Sequence, residues 1–102
     1  MPIMEISIVP VGTQTASVSQ YVADTVKVLK RQRGIRYELT SMGTIVESDS
    51  LEILLNIAKK MHDIIFKSGI KRVVTTIKID DRKDKKLTMN GKINSVWKKV
   101  KK

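Results

Sequence analysis

Few side chains in this 102-residue chain are suited to catalysis. It has no cysteine, which excludes disulfides, thiol catalysis and thiolate metal sites. It has a single histidine, His62, which makes a histidine metal cluster or a catalytic triad improbable. His62 lies in an apolar stretch without a paired nucleophile, so we expect a hydrogen-bonded histidine at a core edge or subunit interface. The sequence therefore predicts a protein that is not an enzyme and carries no cofactor.

Carboxylates and hydroxyls are better suited to holding a small polar ligand. Glu5, Glu38 and Glu47 could neutralise a cation or accept hydrogen bonds from an amino group. Segments 11–15 and 41–44 add glycines, hydroxyls and backbone groups close to the ends of predicted strands. The alternative is that these residues are solvated sheet positions or form salt bridges between subunits, and spacing alone leaves both interpretations open.

A separate acidic run, Asp80-Asp81-Arg82-Lys83-Asp84, has carboxylates close enough together to hold a hard cation. Basic residues are interleaved with them, however, and no glycine stands where a calcium loop needs one. The alternative is a strand end whose acids pair with Arg82 or with a neighbouring subunit. We expect the paired arrangement and no metal site.

The formal net charge of +10 is concentrated at the C-terminal end. Residues 1–81 contain 11 Lys/Arg and 9 Asp/Glu, a net of +2, whereas residues 82–102 contain 9 and 1, a net of +8. A basic end could bind nucleic acid, but RNA-recognition sheets stack bases on aromatic side chains that the predicted open sheet face here does not carry. The pattern therefore disfavours a nucleic-acid partner and indicates a near-neutral body with a basic extension, 81–102.

Length and hydropathy indicate one globular domain spanning residues 1–102. Hydrophobic residues make up 41% of the chain, which is enough to form a core. No apolar run approaches the ~20 residues of a membrane span, and the N-terminus has no basic region typical of a signal peptide. We therefore expect a cytoplasmic protein without a membrane partner.

Apolar periodicity divides the chain into strands and helices. The predicted strands are 3–9, 35–40, 44–48 and 72–80, and the predicted helices are 17–33, 49–68 and a short C-terminal helix with its apolar stripe at 93–100. Pro10 is predicted to begin a loop, and Gly34 to cap the first helix. Asp49 and Glu52 have the spacing of a capping box at the start of the second helix.

The order βαββαβ followed by a helix is that of the α+β ferredoxin-like sandwich, a four-stranded antiparallel sheet with two helices on one face. Alternation predicts that Met4, Ile6 and Ile8 face these helices. The opposite, open face is predicted to be polar and to carry Glu5, Ser7, Arg36, Glu38, Thr40, Glu47, Thr76, Lys78 and Asp80.

The second predicted helix is apolar over a wider arc than one sheet can bury. The stripe predicted to cover the sheet consists of Leu51, Leu54, Leu55, Ala58, Met61 and Ile65. Ile53, Ile57 and Ile64 form another stripe, roughly a third of a turn away. We expect this second stripe to be covered by the terminal helix with Trp97 or by self-association into a dimer or tetramer.

Three segments together resemble the YkoF-like thiamine-binding family. They are Val9-Pro10-Val11-Gly12-Thr13, Ser41-Met42-Gly43-Thr44 and Arg72-Val73-Val74-Thr75-Thr76-Ile77-Lys78-Ile79-Asp80-Asp81-Arg82, and the resemblance covers nearly the whole chain in the same element order. It implies a ferredoxin-like fold assembled as dimers and tetramers. It also implies that the protein binds thiamine or its hydroxymethylpyrimidine moiety, as a carrier, buffer or sensor in vitamin B1 metabolism.

Thiamine is a cation with an aminopyrimidine ring, so its site needs a carboxylate, an acceptor for the exocyclic amine, and an apolar or sulfur contact. Position-matched residues of each type occur in the three segments or on the predicted open face. The predicted ligand-binding residues are Glu5, Ser7, Val9, Gly12, Thr13, Thr40, Met42, Gly43, Thr44, Glu47 and Thr76. The alternative function is a structural or regulatory oligomer that binds a protein partner and no small ligand.

Overall fold

The computed structural model describes residues 1–13 and 18–101 and has the predicted ferredoxin-like α+β architecture. Its elements in chain order are β1 (Ile3–Val11), α1 (Ser19–Lys30), β2 (Ile35–Leu39), β3 (Thr44–Ser48), α2 (Leu51–Phe66), β4 (Arg72–Asp80) and α3 (Met89–Val100). Of the helices described, none has the length and apolar character needed to cross a membrane.

The sheet is antiparallel with the strand order β2-β3-β1-β4, and β1 lies at its centre beside β3 and β4. Met4 pairs with Val46 on one side and Ile79 on the other, so these three side chains share a face. The core forms where α1 and α2 cover that face. Its buried residues are Met4, Ile6, Leu29, Val46, Leu54, Ile57, Ala58 and Met61. The predicted facing of β1 is therefore confirmed.

The two halves of β1 have different neighbours. Pairing with β3 covers residues 3–6, whereas pairing with β4 covers residues 3–11. The second half of β1 therefore has a strand on one side and the β2–β3 turn towards the other. The predicted loop beginning at Pro10 is wrong, because Pro10 pairs with Val73 inside β1. A strand edge can accommodate a proline, which has no N–H to donate.

Both long helices are shorter than predicted. The N-cap of α2 is Ser50, whose Oγ accepts a hydrogen bond from the Ile53 N–H at 3.4 Å, so the capping box predicted from Asp49 is wrong. At the end of α1 the cap is Arg31, and Gly34, with φ 77°, belongs to the turn into β2 instead. The predicted helix start at residue 17 and the loop residues 14–15 lie outside the described residues.

Within the chain, α1 and not the terminal helix covers most of the second apolar stripe of α2, and Ile64 stays partly exposed. Ile57 is fully buried in the core and Ile53 packs against it, because α1 lies alongside α2. Surplus apolar surface remains elsewhere. Several large apolar side chains on α2 and on β4 are 38–48% exposed, and these are Leu51, Leu55, Phe66, Val74, Ile77 and Ile79.

The terminal helix α3 is attached by its start to the open face of the sheet, so of the two ways considered for covering the second stripe of α2 it does not supply one. The Met89 N–H donates to Glu47 Oε2 at 2.7 Å, and Lys92 Nζ donates to Asp80 Oδ2 at 2.6 Å. Glu47 and Asp80 both flank Ile3 on the open face. Only the start of α3 is anchored in this way, and no residue of the helix is buried.

His62 occupies the hydrogen-bonded position at the core edge that its sequence context predicts. It is half-buried, and its Nδ1 lies 2.6 Å from Thr75 Oγ1. The Phe66 ring meets the imidazole edge-on at 5.4 Å. These contacts account for the histidine as a packing residue between α2 and β4.

Candidate functional site

A cleft of about 160 Å³ opens between the second half of β1, the β2–β3 turn and α1. It lies beyond the point where β1 stops pairing with β3. The sheet has a gap there, and α1 covers that gap. An engineered cavity of about 150 Å³ in another protein is known to hold a benzene molecule. The cleft therefore has room for one six-membered ring.

The β2–β3 turn that forms one wall is held by the hydroxyl of Thr40. Thr40 Oγ1 donates to the Gly43 carbonyl oxygen at 2.8 Å and accepts from the Gly43 N–H at 3.1 Å and the Met42 N–H at 3.3 Å. Gly43 brings this turn against β1, since a Cβ at that position would lie 3.1 Å from the Ile6 carbonyl oxygen. A larger residue would push the turn away from β1, so Gly43 helps set the width of the cleft.

Helices α1 and α2 supply the opposite wall and the floor. Val18, Tyr21 and Val22 line the cleft from the start of α1, and Met61 and Ile65 line it from α2. Val22 and the two α2 residues are apolar and suited to covering the face of a flat ring.

Several residues that carry hydroxyl groups line the cleft. Ser7, Tyr21, Ser41 and Thr44 all line it, and within the described part of the chain none of their hydroxyls makes a hydrogen bond. A hydroxyl both donates and accepts, so such a set can match a ring with amino and ring-nitrogen groups at its edge. No charged side chain is among the described residues that line the cleft.

A wider groove of about 480 Å³ lies on the open face beneath the start of α3. Glu5 and Glu38 both line it, and each pairs across the sheet with Ile45. The two residues are thus two strands apart, or about 10 Å. Among the described residues neither carboxylate has an ion-pair partner. Thr40 lines both the groove and the cleft, so the two spaces adjoin at this residue.

The structure brings most of the predicted ligand-binding residues together. Those lining the cleft are Ser7, Val9, Thr40, Met42, Gly43 and Thr44. Glu5 lines the groove. Gly12, with φ 85°, and Thr13 follow β1 outside the residues that define either space, and Thr76 is exposed on β4 opposite Ser7.

Glu47 has a different environment from the other predicted carboxylates. It is 2% exposed, accepts the hydrogen bond from the Met89 N–H, and has Arg36 Nε 3.8 Å from its Oε1. Glu47 therefore attaches α3 to the sheet, and its carboxylate is occupied by the protein itself.

The acidic run after β4 forms ion pairs. Asp84 accepts two hydrogen bonds from Arg82, at 2.7 and 2.6 Å, and Asp81 lies 3.4 Å from Lys83 Nζ. Asp80 pairs with Lys92. No group of metal-ligating side chains occurs within residues 1–13 and 18–101. The described segment thus has the paired arrangement expected from its interleaved charges.

We expect the carboxyl of Asp84 to titrate with a pKa of about 2, below its ordinary value of 3.8, because Arg82 donates two hydrogen bonds to the carboxylate. The Arg82–Asp84 pair stabilises the fold at pH values above 3.8, the ordinary pKa of the carboxyl. This contribution is lost as the pH falls through about 2. An NMR titration of the side-chain carboxyls measures this pKa. In Arg82→Gln the pKa of Asp84 should rise, whereas an unchanged value would contradict the pairing.

Of the cleft residues that sequence reasoning missed, Ile6, Ile8, Leu39 and Ser41 belong to the strands and the β2–β3 turn, and the others come from the two helices and the start of α1. Tyr21, Thr25 and Met61 line the cleft but were not among the predicted ligand-binding residues. One signal was available in α1, where Thr25 places a hydroxyl on the buried side of the helix and bonds the Val22 carbonyl oxygen at 2.7 Å. The contribution of α2 depends on how the helices cross the sheet, which local periodicity does not determine.

Known proteins resemble this chain over nearly its whole length. The family described as Thiamine-binding protein matches residues 4–97. The UPF0045 protein YqgV of Bacillus subtilis is 44% identical over 99 residues, covering 94% of each chain. A UPF0045 protein of Methanothermobacter thermautotrophicus is 40% identical over 96 residues, covering 94% of this chain and 96% of that relative.

The fold also matches a solved structure. The crystal structure of MJ1052 from Methanocaldococcus jannaschii superposes with a TM-score of 0.85 at 36% sequence identity, covering 94% of this chain and 95% of that one. The similarity therefore extends from the sequence to the arrangement of strands and helices.

Proposed function

This chain belongs to the thiamine-binding protein family, and we propose that it binds the aminopyrimidine ring of thiamine or of hydroxymethylpyrimidine in the cleft beside β1. The observation that carries the proposal is the set of hydroxyls on Ser7, Tyr21, Ser41 and Thr44, which line a space sized for one ring and bond to no other described residue. Family membership suggests the ligand, and these hydroxyls suggest where its ring binds.

The chemistry of the ring suits the cleft. An aminopyrimidine carries an exocyclic amine that donates hydrogen bonds and ring nitrogens that accept them, and hydroxyls serve both groups. Apolar side chains such as Val22 and Met61 would cover the faces of the ring. Ligand pockets commonly combine apolar walls with a few polar groups in this way.

The rest of thiamine lies outside the cleft in this proposal, because the cleft accommodates a single ring. The thiazolium ring carries the positive charge and extends past Thr40 into the groove on the open face. Glu5 and Glu38 line that groove without an ion-pair partner in the described structure, so their carboxylates are available to a cation. Hydroxymethylpyrimidine has no such charge and would use the cleft alone.

We further propose that the protein works without turnover, as a cytoplasmic carrier, buffer or sensor in vitamin B1 metabolism, and that it assembles as a homodimer or homotetramer. In this proposal the diphosphate of thiamine diphosphate would follow the thiazolium ring into the groove. The described lining of the groove carries three carboxylates, on Glu5, Glu38 and Asp80, against two ammonium groups, on Lys78 and Lys92, so its net negative charge disfavours a diphosphate. The free vitamin or its pyrimidine precursor is therefore the proposed ligand.

Isothermal titration with hydroxymethylpyrimidine, thiamine and thiamine diphosphate tests the proposal. We expect saturable binding of the first two at about one site per chain. Thiamine diphosphate should bind no more tightly than thiamine. The ligand should be recovered unchanged after prolonged incubation, as judged by proton NMR.

Titrations that release no heat of binding at ligand concentrations up to about 1 mM would limit the binding free energy to less than ~4 kcal/mol. Such a result would contradict the proposed ligand. That result would favour the alternative of a structural or regulatory oligomer that binds a protein. Conversion of the ligand during incubation would instead contradict binding without turnover.

A further inference from the structure

The outer edge of β4 has no covering element in the described structure. β4 is nine residues long and pairs with β1 along its whole length, which leaves its other edge free. Ile77 and Ile79 on this strand stay exposed on the helix side of the sheet, as do Leu51 and Leu55 on α2, which packs against β4. A long, exposed and apolar strand edge is a template for pairing with another strand.

The sequence of β4 is complementary to itself when two copies run antiparallel. Thr76 is its central residue, Arg72 is its first and Asp80 its last. A two-fold axis at Thr76 places Arg72 of each copy opposite Asp80 of the other, which gives an ion pair at both ends. Arg72 makes no ion pair within the described chain, and Asp80 contacts only Lys92.

The charges select this register over its neighbours. Moving the axis by one residue towards Arg72 sets Arg72 opposite Lys78 of the other copy, and like charges directly opposite are destabilising. Moving it by one residue towards Asp80 sets Asp80 opposite Val74 and removes both ion pairs. The axis at Thr76 also keeps the helix-facing residues of the two copies on the same side, with Ile77 opposite Thr75.

The terminal helix points towards the same edge. Its start lies at Glu47 of β3, and one turn later Lys92 reaches Asp80 of β4, two strands away. A helix of twelve residues is about 18 Å long, and two strand spacings cover about 10 Å, so a helix that continues in this direction extends past β4. The radius of gyration of 15.1 Å, against about 13 Å for a compact chain of this length, agrees with a projecting helix.

The apolar stripe of α3 would meet apolar surface on a second copy. The stripe consists of Ile93, Val96, Trp97 and Val100, and these side chains are 56–62% exposed. In the register centred on Thr76, the open face just beyond the β4 edge is that of the other copy. It presents Val74 and, paired with it, Val9, which are both exposed.

We propose that two copies of this chain join antiparallel through their β4 edges about a two-fold axis at Thr76, forming an eight-stranded sheet, and that α3 of each copy covers the Val9 and Val74 surface of the other. The inference rests on the homo-oligomer of the proposed function and specifies its interface. It is independent of the cleft, because no described residue of β4 or α3 lines the cleft, whereas Asp80 and Lys92 also line the groove. Hydroxymethylpyrimidine, which uses the cleft alone, therefore tests the proposed ligand separately from this interface.

Charge reversal at the two ends of β4 tests the interface. We expect the wild-type chain to sediment as a dimer or a multiple of it. Arg72→Asp and Asp80→Arg should each raise the dissociation constant at least about tenfold, since both end pairs become repulsive. The double variant Arg72→Asp/Asp80→Arg should restore association, because the ion pairs re-form with their signs exchanged.

Two control variants separate the interface from other effects of charge. Arg33→Asp makes the same change of charge on an exposed residue outside β4 and should leave association unchanged. Lys92→Gln removes the hydrogen bond that Asp80 accepts within the chain. Its dissociation constant therefore shows how much of the effect of Asp80→Arg comes from losing that contact. Circular dichroism of every variant confirms that it is folded.

Trp97 is the only tryptophan, so its emission reports the environment of α3. In the dimer we expect blue-shifted emission that moves to the red on dilution or in Arg72→Asp. A monomeric wild-type protein would overturn both the oligomer and this interface. An oligomer insensitive to both single reversals would overturn the interface alone, and emission unchanged on dissociation would overturn the placement of α3.

Discussion

Val18→Phe is expected to weaken the binding of hydroxymethylpyrimidine at least about hundredfold, a loss of ~3 kcal/mol. Val18 lines the cleft at the start of α1, where a phenyl ring would occupy space that holds one ring. Because the side chain is already 38% exposed, the substitution should leave the free energy of unfolding within about 0.5 kcal/mol of wild type. Titration calorimetry and thermal unfolding measure the two effects separately.

Val11→Phe provides the matched control. Val11 is 39% exposed, close to the 38% of Val18, but it lies at the end of β1 and does not line the cleft. This variant should bind hydroxymethylpyrimidine as the wild type does. If Val18→Phe bound normally, the ring would have to lie elsewhere, and the cleft would be rejected as the site even if thiamine still bound to the protein.

Element order and the facing of the strands were predictable because both depend on local periodicity. Alternation along β1 separates Met4 and Ile6 from Glu5 and Ser7, and pairing with β3 and β4 keeps them on opposite faces. The ends of elements were less predictable because capping depends on which neighbouring group reaches the backbone. Ser50, one residue after Asp49, accepts the hydrogen bond that starts α2.

The way in which α2 is covered could not be read from its sequence. A helical wheel shows that Ile53 and Ile57 need to be buried, but it does not identify the neighbour that buries them. In the structure α1 does so, and the exposed apolar residues are Leu51 and Leu55 instead. Periodicity thus predicted surplus apolar surface on α2 correctly and its position wrongly.

The candidate site was harder to predict, because it too depends on which elements pack together. Turn residues such as Thr40 and Gly43 were predicted from their types, whereas Tyr21 and Met61 join them only because the helices cross the gap beside β1. Carboxylates on one sheet face also looked equivalent in the sequence. Burial distinguishes them, since α3 closes over Glu47 and leaves Glu5 and Glu38 in the groove.

Because Glu5 and Glu38 stay exposed in the groove, neutralising them should change the affinity for thiamine and not the affinity for hydroxymethylpyrimidine. Glu5→Gln/Glu38→Gln should weaken thiamine at least about tenfold, or ~1.4 kcal/mol, because both carboxylates that face the thiazolium cation become neutral. The same variant should bind hydroxymethylpyrimidine normally, since that ligand is uncharged. Added salt should likewise weaken thiamine and spare hydroxymethylpyrimidine.

Glu47→Gln is the control that removes a carboxylate of the same face without touching either ligand. Its carboxylate is buried against the Met89 N–H and Arg36, so the substitution should lower the free energy of unfolding by about 1–2 kcal/mol. Affinity for both ligands should stay at the wild-type value. Loss of thiamine binding in Glu47→Gln alone would place the cation beside Glu47, which does not line the groove. Equal loss of both ligands in Glu5→Gln/Glu38→Gln would show that these carboxylates shape the site and do not neutralise a charge.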